Sequence, residues 1–265
     1  MNFREIYYFI DSFAPFCTQF EFDNSGLLVG NGNDFVDKIL ISLDITSEVI
    51  LEAKNLGVQL IISHHPVIFN KITSISSQDV VYHLIRSGIG AICAHTNLDI
   101  SPDGVNYCLL KKLDLIPKEP VKIINNSPLG FCSFLNTVMT SQELANFIKS
   151  KLECNFLKFT DNNSFIEKIA VVSGAGGDCI YDLPEKDVQG FITGEIKHHE
   201  ILYAKQNKIS VFELGHFVSE NVIVEHLCFK LKNKFKNLDV FVSKKNKDET
   251  DFIGNFIKFF SKGKL

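Results

Sequence analysis

The spacing of apolar residues predicts that the chain begins with a helix and continues as alternating strands and helices. Ile6, Phe9, Ile10 and Phe13 recur at helical spacing, and Pro15 ends the predicted helix. Further along, short apolar runs alternate with helical segments, the pattern of βαβ units whose strands lie parallel in one sheet. The predicted strands cover residues 38–44, 58–62, 89–94, 131–138, 169–173, 188–193 and 209–214.

Capping residues and turn signals complete the predicted α/β fold. The stretch from Pro117 to Pro128 is rich in proline and asparagine, and it is the predicted boundary between two intertwined α/β lobes. Residues 1–120 form the first lobe, with the segment from about 215 to 265 packing against it, and residues 121–214 form the second. The predicted caps are Thr46 or Ser47 with a stop at Gly57, Ser76 with Asp79 and a stop at Gly88, Thr140 with Glu143, a site after Glu195, and Ser219.

Composition narrows the class of protein. The 265 residues are 45% hydrophobic and 22% charged, which is enough apolar material for a real core. An acidic residue among the first six and the absence of a run of about 18 apolar residues predict a cytoplasmic protein with no membrane span. A net charge of −4 argues against a nucleic-acid partner, because phosphate binding depends on clustered Lys and Arg.

The cysteines indicate which atoms could hold a metal. Seven cysteines are scattered along the chain without a CxxC pair, so we expect reduced, buried thiols rather than disulfides or a thiolate zinc site. Any metal must therefore be held by nitrogen and oxygen.

Histidines and carboxylates follow two of the predicted strands in the first half of the chain. His64 and His65 come directly after one strand, and imidazole is a common protein ligand for zinc, iron and nickel. After the next strand, Asp99 is a candidate ligand, while His95 is either a ligand or a group that orients one. The alternative for this second cluster is a helix or turn cap beside a structural histidine.

Two further clusters lie in the second half. His216 and Glu220 are four residues apart at the start of a helix, where a carboxylate could bridge two cations, although a surface pair has the same spacing. Glu195, His198 and His199 stand at a strand-to-helix junction and are predicted pocket or proton-transfer residues.

The joint distribution of these residues favours a site. Six of the eight histidines fall in four short clusters at predicted strand ends, where open α/β sheets bind ligands. The exceptions, His83 and His226, are predicted to be structural. The glycine-rich stretch from Ser173 to Gly177 lacks the residues of a phosphate-binding loop, so a tight turn is the favoured interpretation.

Taken together, six stretches of this chain resemble the GTP cyclohydrolase I type 2, or NIF-three-like, family in its short form without an inserted domain. They are DNSGLLVG at 23–30, SHHP at 63–66, HTNLD at 95–99, SGAGG at 173–177, TGEIKHH at 193–199 and GHFVSE at 215–220. The resemblance implies two similar, intertwined three-layer α/β/α lobes with a dinuclear metal site in the cleft between them, and a homohexamer. It places the metal ligands at His64, His65, Asp99, His216 and Glu220.

The resemblance also implies a function. We expect two divalent ions per subunit, of zinc, iron, manganese or nickel, and hydrolysis of GTP or a related nucleotide or heterocycle by a metal-activated water, assisted by Glu195, His198, His199 or His95. The alternatives are a metal-binding regulatory or adaptor protein and a ring-shaped scaffold, both without turnover. The tail from 244 to 265 matches no family pattern, and its apolar residues are predicted to form a helix face for subunit contact: Phe252, Ile253, Phe256, Ile257, Phe259 and Phe260.

Overall fold

A computed structural model describes residues 1–251 and shows a mixed α/β fold with two sheets. Over these residues, the strands are β1 (Gly26–Val29), β2 (Lys38–Ser42), β3 (Leu60–Ser63), β4 (Gly90–Cys93), β5 (Glu119–Ile124), β6 (Ser127–Met139), β7 (Lys158–Phe159), β8 (Ile166–Val172), β9 (Gly190–Thr193), β10 (Ser210–Glu213) and β11 (Asp239–Val242). The helices are α1 (Phe3–Asp11), α2 (Ser47–Leu56), α3 (Val80–Ser87), α4 (Thr96–Asp99), α5 (Val105–Lys112), α6 (Ser141–Leu152), α7 (His198–Gln206), α8 (His216–Glu220) and α9 (Val222–Lys234).

The first sheet has the strand order β1-β4-β3-β2-β11. Strands β2, β3, β4 and β11 are parallel, while β1 is antiparallel at the edge. The predicted βαβ unit is confirmed: Thr46 accepts a hydrogen bond from the backbone of Val49 at the start of α2, and Gly57 ends that helix in the left-handed conformation. Because β11 pairs with β2, the strand nearest the end of the described chain lies in the same sheet as the N-terminal strands.

The second sheet has the order β5-β6-β8-β9-β10-β7, with β8, β9 and β10 parallel. Residues 117–128, the predicted boundary, form β5 and the turn into β6, so the chain passes from the first sheet to the second at the start of this stretch. Asn125 and Asn126 both have positive φ, at 50° and 61°. Asparagine tolerates this conformation in tight hairpins, and Pro120 is accommodated because β5 is an edge strand.

Each sheet is buried on both faces. In β2, Ile39 and Ile41 pack into one apolar cluster with α1 and α9, whereas Leu40 packs into another with α2 and α3. In β9, Ile192 and Phe191 likewise belong to different clusters. Side chains alternate across a strand, so covered sheets of this kind need apolar residues at successive positions, as the continuous apolar runs predicted.

Several local predictions are refined. Helix α8 begins at His216 after Gly215, so Ser219 lies inside the helix instead of capping it. Asp79, not Ser76, is the residue that precedes α3. All seven cysteines are free, and only Cys17 is exposed. Among residues 1–251, no helix combines the length and apolar character that crossing a bilayer requires. The predicted apolar face at 252–260 lies outside the described residues.

Candidate metal centre

Turns at the ends of strands from both sheets bring the candidate ligands together. His64 and His65 follow β3, and Asp99 ends the short helix after the neighbouring strand β4. His216 and Glu220 are the first and last residues of α8, which follows β10 of the second sheet. The five residues that the resemblance placed in the metal site therefore come from distant parts of the chain and converge at one point.

A hydrogen bond to the backbone fixes the orientation of the His64 ring. This fully buried ring donates its Nδ1 hydrogen to the carbonyl of Ala94 at 2.9 Å, since a carbonyl oxygen can only accept. Its Nε2 atom consequently faces Asp99 Oδ1 at 3.5 Å and Glu220 Oε2 at 3.7 Å. A hydrogen bond from one ring nitrogen to a carbonyl is the usual support for a histidine that binds metal through the other.

Glu220 lies at the centre of the cluster. Its Oε2 atom lies 2.8 Å from His65 Nε2 and 3.1 Å from His216 Nε2, and the side chain is only 4% exposed. The other ring nitrogens are held by carboxylates, because His65 Nδ1 lies 2.7 Å from Asp44 and His216 Nδ1 lies 3.1 Å from Glu195. Both rings therefore direct Nε2 toward the same carboxylate.

His95 belongs to the same cluster. Its ring centroid lies 5.2 Å from that of His64 and 5.6 Å from that of His65. Asp23 fixes the ring, with Oδ1 at 2.8 Å from His95 Nδ1, and also accepts hydrogen bonds from the backbone and hydroxyl of Thr96. The geometry therefore allows His95 to act as a ligand, one of the two roles considered from sequence.

The donor atoms fit a metal in number, chemistry and spacing. Three groups each place their donor atoms within 4.8 Å of one another: His64, His65 and His95; His65, His216 and Glu220; His64, Asp99 and Glu220. Two buried atoms of this cluster, His64 Nε2 and Asp99 Oδ1, have no hydrogen-bond partner. Buried polar atoms are normally satisfied, so this pair indicates room for a cation that both would contact.

The glycine-rich turn supports this cluster. Gly174 has a φ of 60°, and a Cβ added there would lie 2.1 Å from Glu220 Oε1. Its backbone N–H donates to Ser219 Oγ at 2.9 Å, and its carbonyl accepts from the backbone of Glu195 at 2.9 Å. The tight-turn interpretation is thus correct, and the turn has the additional role of leaving space for the carboxylate of Glu220.

The electrostatics of the cluster favour positive charge. Burial lowers the pKa of His65, but hydrogen bonds to Asp44 and Glu220 outweigh it and raise the pKa to about 10. Burial would raise the pKa of Glu220, yet His64, His216 and His65 hold it well below its usual range. At Asp99, burial is the largest influence and raises the pKa. The imidazoles therefore keep Glu220 ionised. The positive charge beside this carboxylate can come from protons on the imidazoles or from bound cations.

Of the fourth predicted cluster, Glu195, His198 and His199, only Glu195 contacts a candidate ligand. Glu195 contacts His216 Nδ1, although its own side chain is 55% exposed. His198 and His199 are exposed at the start of α7, and neither belongs to the donor groups above. At the start of α7 it is Glu200, the third residue of the helix, that is buried, while the two histidines before it are exposed.

Sequence reasoning did not identify the two carboxylates that orient the rings. Asp44 lies two residues after β2 and Asp23 opens the turn-rich stretch before β1, so both also lie near strand ends. An acidic residue at the same sheet edge as a histidine was the available signal.

A cavity of about 460 Å³ reaches the cluster from one side. His65 and His216 line it together with Asp44, Phe217 and Lys247. Small molecules therefore have a route to the imidazoles that face solvent.

Fold and site together define a mixed α/β protein with a buried cluster of imidazoles and carboxylates suited to divalent cations. The family model described as Duf34/NIF3 (NGG1p interacting factor 3) matches residues 1–249, and the chain belongs to this family.

Curated relatives support the same assignment. The chain is 34% identical over 264 residues to a GTP cyclohydrolase 1 type 2 homolog of Clostridium perfringens, covering 96% of this chain and 100% of the relative. A homolog of the same name from Staphylococcus aureus is 27% identical over 367 aligned positions, again covering 96% and 100%. The longer alignment shows that the present chain is the short form, as its sequence predicted.

The fold has close structural counterparts. The crystal structure of a hypothetical protein from Staphylococcus aureus superposes with a TM-score of 0.87 at 30% sequence identity, covering 96% of this chain and 99% of that one.

Proposed function

We propose that the protein is a hydrolase with a dinuclear metal centre, which acts on GTP or a related nucleotide or heterocycle. In this proposal the two sheets are the centres of two lobes, residues 1–120 with the segment from about 215 onward and residues 121–214, and the centre lies in the cleft between them. The pairing of β11 with β2 supports the assignment of the C-terminal segment to the first lobe. The observation that carries the proposal is the shared position of Glu220 in two separate donor groups.

The donor set supports two ions rather than one. Glu220 groups with His64 and Asp99 on one side and with His65 and His216 on the other. A shared carboxylate offsets the repulsion between two cations, which otherwise opposes a metal pair about 3.5 to 4 Å apart. His95 adds a donor to the first-sheet side of the cluster. Two divalent ions, of zinc, iron, manganese or nickel, would supply Lewis acidity and a nucleophilic water at neutral pH.

The remaining polar residues orient the ligands and hold protons. Asp44, Asp23 and Glu195 each accept from the outer nitrogen of one imidazole, which fixes the ring and its tautomer. Glu195 is the most exposed of the three, with 55% of its side chain accessible, so it can exchange a proton with solvent while contacting His216. We assign it the proton-transfer role because it contacts a candidate ligand, whereas His198 and His199 belong to none of the donor groups.

The substrate proposal rests on the names of the relatives. Curated homologs at 27–34% identity carry the name GTP cyclohydrolase 1 type 2 homolog. Applied to this chain, the name suggests hydrolytic opening of the imidazole ring of GTP with release of formate. We also propose a cytoplasmic homohexamer, which light scattering after size-exclusion chromatography would test.

The test combines metal analysis with turnover. Purified protein is analysed for bound metal and then assayed for formate release from GTP, alongside Glu220→Gln and a His226→Ala control. His226 lies 3.1 Å from Asp103, away from the cluster, so its variant keeps the metal and the activity. Glu220→Gln should lose both. Full metal occupancy without turnover across a panel of nucleotides would instead indicate a regulatory or adaptor protein.

A further inference from the structure

Two exposed aromatic rings stand beside the metal centre. Phe22 is 64% exposed and Phe69 is 46% exposed, and their ring centroids lie 6.3 Å apart with the planes tilted by 50°. Phe69 also lies 6.3 Å from the ring of His95, edge to face. We call Phe22 and Phe69 the aromatic face. Contiguous exposed apolar patches on soluble proteins often mark a binding site.

The aromatic face is anchored by the same residues that support the metal site. Phe22 directly precedes Asp23, whose carboxylate fixes His95 and is itself completely buried. Asn24 donates its side-chain amide to the carbonyl of Ile68 at 2.7 Å, which ties the backbone next to Phe69 to the same turn. The ring positions are therefore linked to His95 through short hydrogen-bonded connections, and the turn DNSG has a role beyond forming a bend.

We propose that the aromatic face binds the planar ring of the substrate by stacking, and so selects heteroaromatic compounds for the metal centre. The inference rests on the proposed function in that the same centre acts on the bound compound. Aromatic pairs associate at centroid separations of about 4.5 to 7 Å in offset or edge-to-face arrangements, and the exposed surfaces of Phe22 and Phe69 leave room for a third ring. Stacking is tolerant of the identity of the base, so the face selects a planar ring rather than one nucleobase.

Equilibrium binding separates this contribution from that of the phosphates. Isothermal titration calorimetry on the metal-loaded, full-length protein compares GTP with inorganic tripolyphosphate, which carries the phosphates and lacks the base. The wild type binds GTP more tightly than tripolyphosphate. In the Phe22→Leu/Phe69→Leu double variant the affinity for GTP falls on the order of tenfold or more, because stacking on an aromatic side chain is lost, while tripolyphosphate binding and metal content stay unchanged. The control is Phe165→Leu, at a ring that is 72% exposed elsewhere.

The outcomes distinguish this inference from the proposed hydrolase. Base-dependent binding that needs Phe22 and Phe69 supports the inference even if no formate is released, in which case only the hydrolase proposal falls. Equal affinity of the wild type for GTP and tripolyphosphate overturns the inference, and so does a double variant that retains its preference for GTP. A double variant whose oligomeric state changes in light scattering while its preference for GTP is retained identifies the face as a subunit contact, which also overturns it.

Discussion

Two adjacent histidine pairs follow parallel strands of this protein, yet the structure treats them differently. His64 and His65 lie in a turn directly after β3, where both backbone N–H groups donate to the carbonyl of Leu43, at 3.2 and 3.0 Å. His198 and His199 begin helix α7, and the side chain of His199 is 65% exposed. Neighbouring side chains on a helix point about 100° apart, whereas the turn after β3 holds both rings at the sheet edge. A position after a strand is therefore not enough to place a histidine in the site, because the local backbone conformation determines where its ring points.

The largest expected effect comes from removing each pair in turn. His64→Ala/His65→Ala deletes two donors shared among all three donor groups, so metal affinity should fall by more than about 100-fold, beyond the loss typical of supporting groups. His198→Ala/His199→Ala is the matched control and should bind metal like the wild type. Metal titration of both variants measures the difference. Equal losses in the two variants would mean that the exposed pair also binds metal.

A smaller effect is expected at the turn that makes room for Glu220. In Gly174→Ala the new Cβ would meet Glu220 Oε1, so the carboxylate must move and metal affinity should fall by about 10- to 100-fold. Gly88→Ala is the control, because Gly88 has a similar φ of 65° with no atom within 4 Å of an added Cβ. Both variants lose about 1 to 2 kcal/mol of stability from the left-handed backbone.

Thermal unfolding and metal titration of the two glycine variants distinguish backbone strain from displacement of the Glu220 carboxylate. Comparable destabilisation with a loss of metal affinity only in Gly174→Ala supports the assigned role. Unchanged metal affinity in Gly174→Ala would show that Glu220 is not held by this turn.

Asp44, the carboxylate that contacts His65 Nδ1, should contribute less to metal affinity than the histidine pair or Gly174. Asp44→Ala removes the partner of His65 Nδ1, and we expect a loss of metal affinity of about tenfold, because such supporting groups orient a ligand without binding the ion. Asp44 is 46% exposed, so the fold should tolerate the change. Asp114→Ala, at an exposed ion pair with Lys151, is the control. An Asp44→Ala variant with wild-type metal affinity would remove Asp44 from the site.

The smallest effect is expected at a histidine and carboxylate that do not belong to the site. Burial opposes ionisation of Asp103, but Lys230 and His226 outweigh it and hold the pKa of this carboxyl below its ordinary 3.8. A depressed folded pKa gives stability that is present above the ordinary value and lost as pH falls through the folded one. Because Asp103 is 41% exposed, Asp103→Asn should cost less than about 1 kcal/mol at neutral pH.

Unfolding measured between pH 7 and pH 2 tests this prediction. The difference between wild type and Asp103→Asn should shrink below about pH 4, as the wild-type carboxyl becomes protonated. A difference that does not depend on pH would indicate lost packing instead of lost charge.

Much of the fold followed from sequence because its signals are local. Continuous apolar runs marked the buried parallel strands, and Thr46 with Gly57 marked both ends of α2. The hairpin within 117–128 was not predicted, because proline and asparagine serve both linkers and hairpin turns, and only pairing with β6 distinguishes them.

The candidate site was predictable where strand ends carry the ligands. His64 and Asp99 were expected together because neighbouring parallel strands of an open sheet present their carboxyl ends at one edge, whereas the convergence of Glu220 from the second sheet was implied by the family resemblance. The orienting roles of Asp23 and Asp44 were missed, since position near a strand end does not show which histidine each contacts across 72 and 21 residues of chain. The exposure of His198 depended on where α7 begins, which sequence patterns locate only to within a few residues.

The most direct test of the dinuclear centre is to count the bound metal ions and determine their positions. Protein loaded with zinc is analysed by mass spectrometry of the metal content, and its crystals are measured for anomalous scattering at the zinc edge. We expect two ions per chain, both among His64, His65, His95, Asp99, His216 and Glu220. A single ion, or ions bound away from Glu220, would contradict the dinuclear centre on which the proposed function depends.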